Sequence, residues 1–157
     1  KYLWEDKPLG TVGSVLLVDE FKHDEVLIMN SDLLTNIDFA DFYKSFKLSG
    51  ADMAVASTPY KVNIPYAVLE TNDFQEVISL KEKPNYTYYS NAGIYILKTS
   101  LLKMIPEDIF FDITDLMEKI LEMDHKIFTY PINGYWLDIG KHEDYEKAQV
   151  DINHLKL

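Results

Sequence analysis

A short apolar run that stops abruptly constrains this chain more than any other feature of its sequence. Residues 26–29 are four consecutive apolar residues, and residues 30–32 (Asn-Ser-Asp) follow them directly. Such a run, bounded by turn residues, is typical of a strand that is buried on both faces of a sheet. In open α/β sheets ligands bind outside the carboxyl ends of strands, so Asp32 is a candidate site residue. Asn, Ser and Asp are also ordinary turn residues, which leaves a purely structural role for Asp32 equally open.

Composition narrows the class of protein and of partner. The chain has 157 residues, 47% of them apolar, which suits one globular domain over residues 1–157. Its 26 acidic and 15 basic residues give a net charge of −11, which disfavours nucleic-acid and anionic-membrane partners. There is no cysteine, so disulfides and thiolate metal sites are excluded. No apolar run reaches the length of about 18 residues that a membrane crossing needs, and we expect a cytoplasmic protein.

Hydrophobic periodicity predicts alternating helices and strands. The order of the predicted elements indicates a three-layer α/β domain with a mixed sheet. Predicted strands cover 25–30, 52–60, 92–97, 126–132 and 135–139, and a predicted antiparallel hairpin pairs 64–71 with 76–82. Predicted helices cover residues 38–50, 100–105, 112–123 and 142–155, and residues 9–17 also have helical spacing. The first of these helices begins at Asp38, ends at Gly50 and should bury Phe39, Phe42 and Phe46.

Asp138 is a second carboxylate at the end of an apolar strand, with Gly140 and a predicted helix after it. Two aspartates at strand ends can meet across one crevice although they lie far apart in the sequence. Mg²⁺ is usually held by one or two such carboxylates together with phosphate oxygens. On the residues alone, the alternative that Asp32 and Asp138 only cap turns or helices stays equally open.

Two further polar segments lie beside predicted strands. Lys83, next to Glu82, follows the second hairpin strand and can hold a phosphate as a point charge. A solvated charge cluster that protects a sheet edge is the commoner use of such residues. Asn91 and Gly93 lie at the start of the strand 92–97, where a glycine marks either a bulge or the close approach of a ligand.

Six motifs in series resemble those of the sugar-1-phosphate nucleotidylyltransferases. The resemblance covers nearly the whole chain and is nearest to the mannose- or glucose-1-phosphate guanylyl-, cytidylyl- and thymidylyltransferase-like group. It implies a Rossmann-like α/β/α fold and an enzyme that forms a nucleoside diphosphate sugar and pyrophosphate, a reaction of polysaccharide biosynthesis. Its substrates would be a nucleoside triphosphate and a sugar 1-phosphate. The motifs are residues 9–13 (Leu-Gly-Thr-Val-Gly), 30–32 (Asn-Ser-Asp), 65–68 (Pro-Tyr-Ala-Val), 82–84 (Glu-Lys-Pro), 91–95 (Asn-Ala-Gly-Ile-Tyr) and 136–140 (Trp-Leu-Asp-Ile-Gly).

The resemblance also implies roles for individual residues. Asp32, Lys83 and Asp138 would be the catalytic residues, with Mg²⁺ bound by the two aspartates and the sugar phosphate held by the lysine. Transfer of this kind needs positioning and charge neutralisation more than covalent help, so a cation and a lysine are enough. The substrate-binding residues would be Gly10, Thr11 and Gly13 at the nucleobase and ribose, and Tyr66, Ala67, Glu82, Asn91 and Gly93 around the sugar.

The chain departs from this family in two respects. The family's N-terminal glycine-rich loop, with its Arg and following Lys, is absent, so we expect an N-terminally truncated nucleotidyltransferase domain. Such a domain would lack a triphosphate cradle and a strand, so we expect it to be inactive alone, whereas the parent protein would be active. We expect the segment either to self-associate through the gap in the sheet or to rearrange there, and we expect a homo-oligomer. Ala67 replaces the Gly that usually follows the Tyr, which adds a methyl group next to the sugar.

Two other functions are compatible with parts of this pattern. A nucleotide-sugar-dependent glycosyltransferase usually carries Asp-x-Asp at the strand end, whereas residues 30–32 are Asn-Ser-Asp, which argues against this class. A non-catalytic regulatory or assembly subunit would keep the fold and lose the chemistry. Asp32, Lys83 and Asp138 argue against such a subunit, and the missing loop favours it.

Overall fold

The computed structural model describes residues 2–155, which form the mixed α/β architecture that the sequence predicts. Two 3₁₀ helices, Ser14–Leu17 and Thr99–Met104, accompany the longer elements. In chain order the elements are α1 (Gly10–Gly13), β1 (Glu25–Met29), β2 (Leu33–Thr35), α2 (Phe39–Ser49), β3 (Met53–Asn63), β4 (Val68–Thr71), β5 (Val77–Lys81), β6 (Asn85–Lys98), α3 (Ile113–Glu122), β7 (Ile127–Pro131), β8 (Trp136–Asp138) and α4 (His142–Asp151).

The central sheet has the strand order β1-β6-β3-β7. Strand β6 runs antiparallel to β1 and to β3, and β7 runs parallel to β3, so the predicted mixed sheet is confirmed. The predicted burial of β1 on both faces is wrong. Leu27 is 46% exposed because, among the described residues, β1 is an edge strand and only its other face is packed against helices.

Helices cover both faces of this sheet and make the three predicted layers. Along β3, Met53 and Val55 pack with α3, α1 and the 3₁₀ helix after β6, whereas Ala54 and Ala56 pack with α2. The alternation follows from the two-residue period of a strand. Within residues 2–155, no helix has both the length and the apolar character that a membrane crossing requires.

Local sequence signals set the ends of α2. The Asp38 carboxylate accepts the N–H of Asp41 at 2.9 Å, and Gly50 ends the helix with a φ of +62°. Phe42 and Phe46 are buried as predicted, but the prediction for Phe39 is wrong, because this residue is 41% exposed. The last helix is shorter than predicted and ends at Asp151.

Strands β3 and β6 are much longer than the sequence pattern predicts. Their outer halves pair from Ser57↔Asn91 to Asn63↔Asn85, and the antiparallel hairpin β4–β5 continues beyond them. The predicted start of the hairpin at residue 64 is wrong, since Pro65 and Tyr66 form a bend before β4. We call residues 58–91 the arm, and the hairpin β4–β5 within it the ribbon. The paired segments 57–63 and 85–91 are the outer ladder.

The carboxylate of Asp52 joins the ends of three strands of the central sheet. It lies directly before β3, and it accepts bonds from Lys98 Nζ at 2.7 Å, His125 Nδ1 at 3.1 Å and the Lys126 N–H at 3.2 Å. The Lys98 hydrogen bond, with smaller contributions from Lys126 and His125, lowers the pKa of Asp52 to about 2. Protonation of this group therefore favours the unfolded chain, whose aspartates have a higher pKa.

We predict that Asp52→Asn makes folding less sensitive to acid. The stabilisation from Asp52 is complete above about pH 4 and is lost as the pH falls toward 2, because the folded-state pKa is depressed. Urea unfolding should show the variant about 1–2 kcal/mol less stable than the parent at pH 7, with the difference shrinking near pH 3. The control is Asp73→Asn in the exposed hairpin turn, and an equal loss in both variants would contradict the prediction.

Candidate functional site

The two candidate metal ligands lie on neighbouring rungs of the small ladder β2–β8. The register pairs Leu33 with Asp138, and the N–H of Ile139 donates to the carbonyl of Asp32 at 2.8 Å. Strand β2, which the sequence pattern did not reveal, therefore places the backbones of the two aspartates on adjoining rungs of one ladder. Both side chains are exposed, and among residues 2–155 neither carboxylate caps a helix or turn by a hydrogen bond. The structure therefore shows neither Asp32 nor Asp138 in the capping role that the sequence left open.

A bulge in β6 forms the floor beside this ladder. Val55 pairs with Tyr95 and Ser57 pairs with Asn91, so three residues of β6, 92–94, lie opposite a single residue of β3. Gly93 adopts a φ of +73°, and a Cβ there would lie 2.9 Å from Asn30 Nδ2. The Asn91 side-chain oxygen accepts the Gly93 N–H at 2.9 Å. The bulge interpretation of Gly93 is therefore confirmed, and the close approach of a ligand there stays a prediction.

Trp136 and Asn30 attach the β2–β8 ladder to the bulge. The Trp136 indole Nε1 donates to the carbonyl of Ala92 at 2.9 Å, and the Asn30 N–H donates to the carbonyl of Gly93 at 2.9 Å. Ala92 is buried and has no partner in the β3–β6 register, so the indole supplies the donor that its carbonyl needs. These bonds fix the position of Asp138 relative to Asn91.

A cavity of about 170 Å³ lies between the ladder and the bulge. A second, more open cavity of about 370 Å³ shares the walls formed by Trp136 and Asp138 and extends to Lys141 and Asp144. Sequence reasoning assigned Asn91, Gly93 and Asp138 but missed Trp136 and Asn30, although each lies within two residues of an assigned aspartate. The smaller cavity is lined by Asn30, Leu33, Asn91, Ala92, Gly93, Tyr95, Trp136 and Asp138.

A second group of predicted residues meets where the arm passes into the ribbon. The pairs Asn63↔Asn85 and Val68↔Lys81 flank the connecting segments 64–67 and 82–84, which therefore lie side by side. We call these two segments the junction. Four candidate residues fall in it, all exposed: Tyr66, Ala67, Glu82 and Lys83.

Lys83 differs from the neighbouring lysine in its backbone and its contacts. Its φ is +42°, an unfavourable conformation for a residue with a side chain, and such residues cluster at functional sites. Lys81 pairs with Glu70 at 2.5 Å and fits the role of a solvated edge charge. None of the ion pairs found among residues 2–155 involves Lys83, which leaves its ammonium group available to a ligand.

The junction and the cavity are separate places on the molecule. Asn85 and Asn91 are six positions apart on β6, which corresponds to about 20 Å along the strand. The structure therefore brings Asn91, Gly93 and Asp138 together, and it brings Tyr66 and Lys83 together, at opposite ends of the arm's outer ladder.

A third predicted group lies against helix α3. The Thr11 N–H donates to Asp112 Oδ1 at 3.0 Å, and the Thr11 hydroxyl accepts the Ile113 N–H at 2.8 Å. A Cβ at Gly10, whose φ is +79°, would lie 2.6 Å from the carbonyl oxygen of Phe111. The described contacts of Gly10, Thr11 and Gly13 are thus with residues 9 and 109–113.

The donor set at Asp32 and Asp138 suits a hard divalent cation. The two carboxylates are exposed on adjoining rungs, and Mg²⁺ takes one or two carboxylates while keeping water or phosphate oxygens as its other ligands. In the described part of the chain no cluster of three or more His, Cys, Asp or Glu side chains could hold a metal. An ion here would therefore depend on oxygens from a bound ligand.

Comparison with known proteins gives consistent matches over this chain. A family model described as nucleotidyl transferase matches residues 1–154. A glucose-1-phosphate adenylyltransferase of Clostridium perfringens (strain SM101 / Type A) is 27% identical over 158 residues, which cover 91% of this chain and 41% of that protein. A D-glycero-alpha-D-manno-heptose 1-phosphate guanylyltransferase of Aneurinibacillus thermoaerophilus is 30% identical over 157 residues, covering 98% of this chain and 67% of that protein.

A solved structure shows the same fold. The crystal structure of HddC from Yersinia pseudotuberculosis has a TM-score of 0.63 and 25% identity, covering 94% of this chain and 64% of the HddC chain. The chain spans about two fifths of the length of the clostridial protein.

We predict that Trp136→Phe destabilises the protein by about 1–3 kcal/mol, because the variant leaves the buried Ala92 carbonyl without its donor while keeping an aromatic ring. Urea unfolding followed by circular dichroism measures this loss. The matched control is Trp4→Phe, since Trp4 is almost fully exposed and its replacement should change the free energy of unfolding by less than about 0.5 kcal/mol. Equal effects of the two substitutions would show that the indole bond does not hold the ladder.

Proposed function

The chain belongs to the nucleotidyl transferase family, and we propose that it provides the sugar-binding and metal-binding part of a sugar-1-phosphate nucleotidylyltransferase. The observation that carries the proposal is the β2–β8 register, which places Asp32 and Asp138 on adjoining rungs, with Asp138 lining a cavity together with Asn91 and Gly93. The family and the α/β fold predicted from the sequence are confirmed by the comparisons.

The proposed reaction forms one phosphorus–oxygen bond and breaks another. A phosphate oxygen of the sugar 1-phosphate attacks the α-phosphorus of a nucleoside triphosphate, and the bond to the departing pyrophosphate breaks. Asp32 and Asp138 would hold Mg²⁺, which supplies positive charge to the phosphate oxygens. The products are a nucleoside diphosphate sugar and pyrophosphate. We place this reaction in the cytoplasm, in the supply of activated sugars for polysaccharide synthesis.

In this proposal the smaller cavity receives the sugar. Its polar side chains include those of Asn30, Asn91 and Asp138, and the missing Cβ of Gly93 leaves the room that the Asn30 amide occupies at the edge of the cavity. The walls are fixed by hydrogen bonds before a ligand arrives, which lowers the entropy lost on binding.

The junction provides the phosphate contact in the same proposal. Lys83 would hold the sugar phosphate, with Glu82, Tyr66 and Ala67 beside it. Because the outer ladder is about 20 Å long, Lys83 and the smaller cavity can bind one substrate together only when the arm curves over that cavity. Gly10, Thr11 and Gly13 would contribute to the nucleotide site, a role that rests on the resemblance to the family, because their described contacts are with residues 9 and 109–113.

We predict that the chain binds a hexose 1-phosphate more tightly with Mg²⁺ than without it, and that Asp138→Asn weakens this binding at least about tenfold by removing a metal ligand. Isothermal titration calorimetry, with glucose 1-phosphate and mannose 1-phosphate as probes, measures the effect. Asp32→Asn should behave alike, and Asp73→Asn in the hairpin turn is the control. Binding that is indifferent to Mg²⁺ and to both aspartates would favour the non-catalytic subunit.

Lys83→Ala provides a second test of the proposal. The substitution should weaken binding of the sugar 1-phosphate about tenfold and leave binding of the free sugar unchanged, because Lys83 contacts only the phosphate. Lys81→Ala is the matched control, since Lys81 is two residues away and already pairs with Glu70. If both lysine variants weakened binding equally, a general loss of positive charge would explain the result and Lys83 would have no specific role.

A further inference from the structure

The larger of the two cavities beside the β2–β8 ladder takes no part in the proposed sugar site. It has a volume of about 370 Å³ and shares Trp136 and Asp138 with the smaller cavity. Gly140, which lines the larger cavity, shows where the Asp138 carboxylate lies, because a Cβ on Gly140 would be 3.2 Å from Asp138 Oδ1. The carboxylate therefore lies at the boundary between the two cavities.

Lys141 gives this boundary its positive charge. Among the described residues that line the two cavities it is the one basic side chain, and the acidic ones are Asp138 and Asp144. Lys83 cannot take its place there, because the junction lies at the far end of the outer ladder, which is about 20 Å long. A phosphate group in the larger cavity therefore depends on Lys141 for a cationic side chain.

Lys141 occupies a position at which a lysine does not stabilise the fold. It is the N-cap residue of α4, where Ser, Thr, Asp and Asn are preferred, and its side chain forms no capping hydrogen bond. A positive charge is also unfavourable at this end of a helix, because the helix dipole is positive there. Its ammonium group takes part in none of the ion pairs found in the described part of the chain. A residue that breaks a local rule without a structural gain is typical of a functional position.

We propose that Lys141 binds the phosphates of the nucleotide in the larger cavity, on the far side of Asp138 from the sugar. The inference rests on the proposed function, because it takes the smaller cavity as the sugar site. In phosphoryl-type transfer the attacking and the leaving oxygen lie roughly in line through the phosphorus atom. A sugar phosphate that attacks from the smaller cavity therefore directs the leaving pyrophosphate into the larger one. There the Lys141 ammonium group offsets the negative charge that develops on the leaving oxygen as its bond to the α-phosphorus breaks.

Isothermal titration calorimetry with inorganic pyrophosphate tests the inference, because this probe contains neither a sugar nor a base. Lys141→Gln should weaken binding of pyrophosphate about tenfold, both with Mg²⁺ and in EDTA, since the lost ammonium charge acts without the metal. Asp138→Asn should weaken binding with Mg²⁺ and strengthen it in EDTA, where the carboxylate only repels the probe. The matched control is Lys147→Gln, which removes an exposed lysine from the same helix.

Three results separate the inference from the proposed function. A parent chain that does not bind pyrophosphate, or equal weakening by Lys141→Gln and Lys147→Gln, would overturn the inference. The proposed function would survive that result if glucose 1-phosphate still bound more tightly with Mg²⁺ and this gain depended on Asp138. Binding of glucose 1-phosphate that is indifferent to Mg²⁺ and to Asp138 would overturn the proposed function, and with it the assignment of the larger cavity to the leaving pyrophosphate.

Discussion

The bulge of β6 at Gly93 is the constraint on which the candidate site depends. Because residues 92–94 leave the regular ladder, the carbonyls of Ala92 and Gly93 become acceptors for Trp136 and Asn30. Those two bonds attach a ladder of only three residue pairs, which by itself would be too short to persist in water. The positions of Asp32 and Asp138 therefore follow from the backbone of β6, and a side chain at Gly93 would disturb them through Asn30.

The molecule has a packed body and an unpacked arm, and the two differ in burial. The body buries side chains on each face of its sheet through the alternation along β3 and β6. The arm extends those same two strands without a covering layer. Lys83 lies at the far end of this extension. Any ligand that contacts both Lys83 and the smaller cavity therefore depends on the orientation of the arm relative to that cavity.

Much of the fold could be predicted from local signals. The apolar run before Asn30, the cap at Asp38 with Gly50 and the turn at Asn72 each act within a few residues, and each gave the right element. Strand β2 was missed because three residues, Leu33–Thr35, are too short to show a period. The outer half of β6 was missed because neither of its faces is buried and because the alternation of polar and aromatic residues over 85–88 breaks at the pair Tyr88-Tyr89.

The sequence alone determined the family, the α/β order of elements and the two aspartates that end apolar strands, because these depend on residue types and spacings along the chain. Only the tertiary structure decided that Asp32 and Asp138 lie on adjoining rungs of one ladder, which Trp136 and Asn30 attach to the bulge. It also decided that Lys83 lies at a separate junction. Such facts depend on strand register and on one bulge, which are set by pairing between residues remote in sequence. No local pattern specifies that pairing.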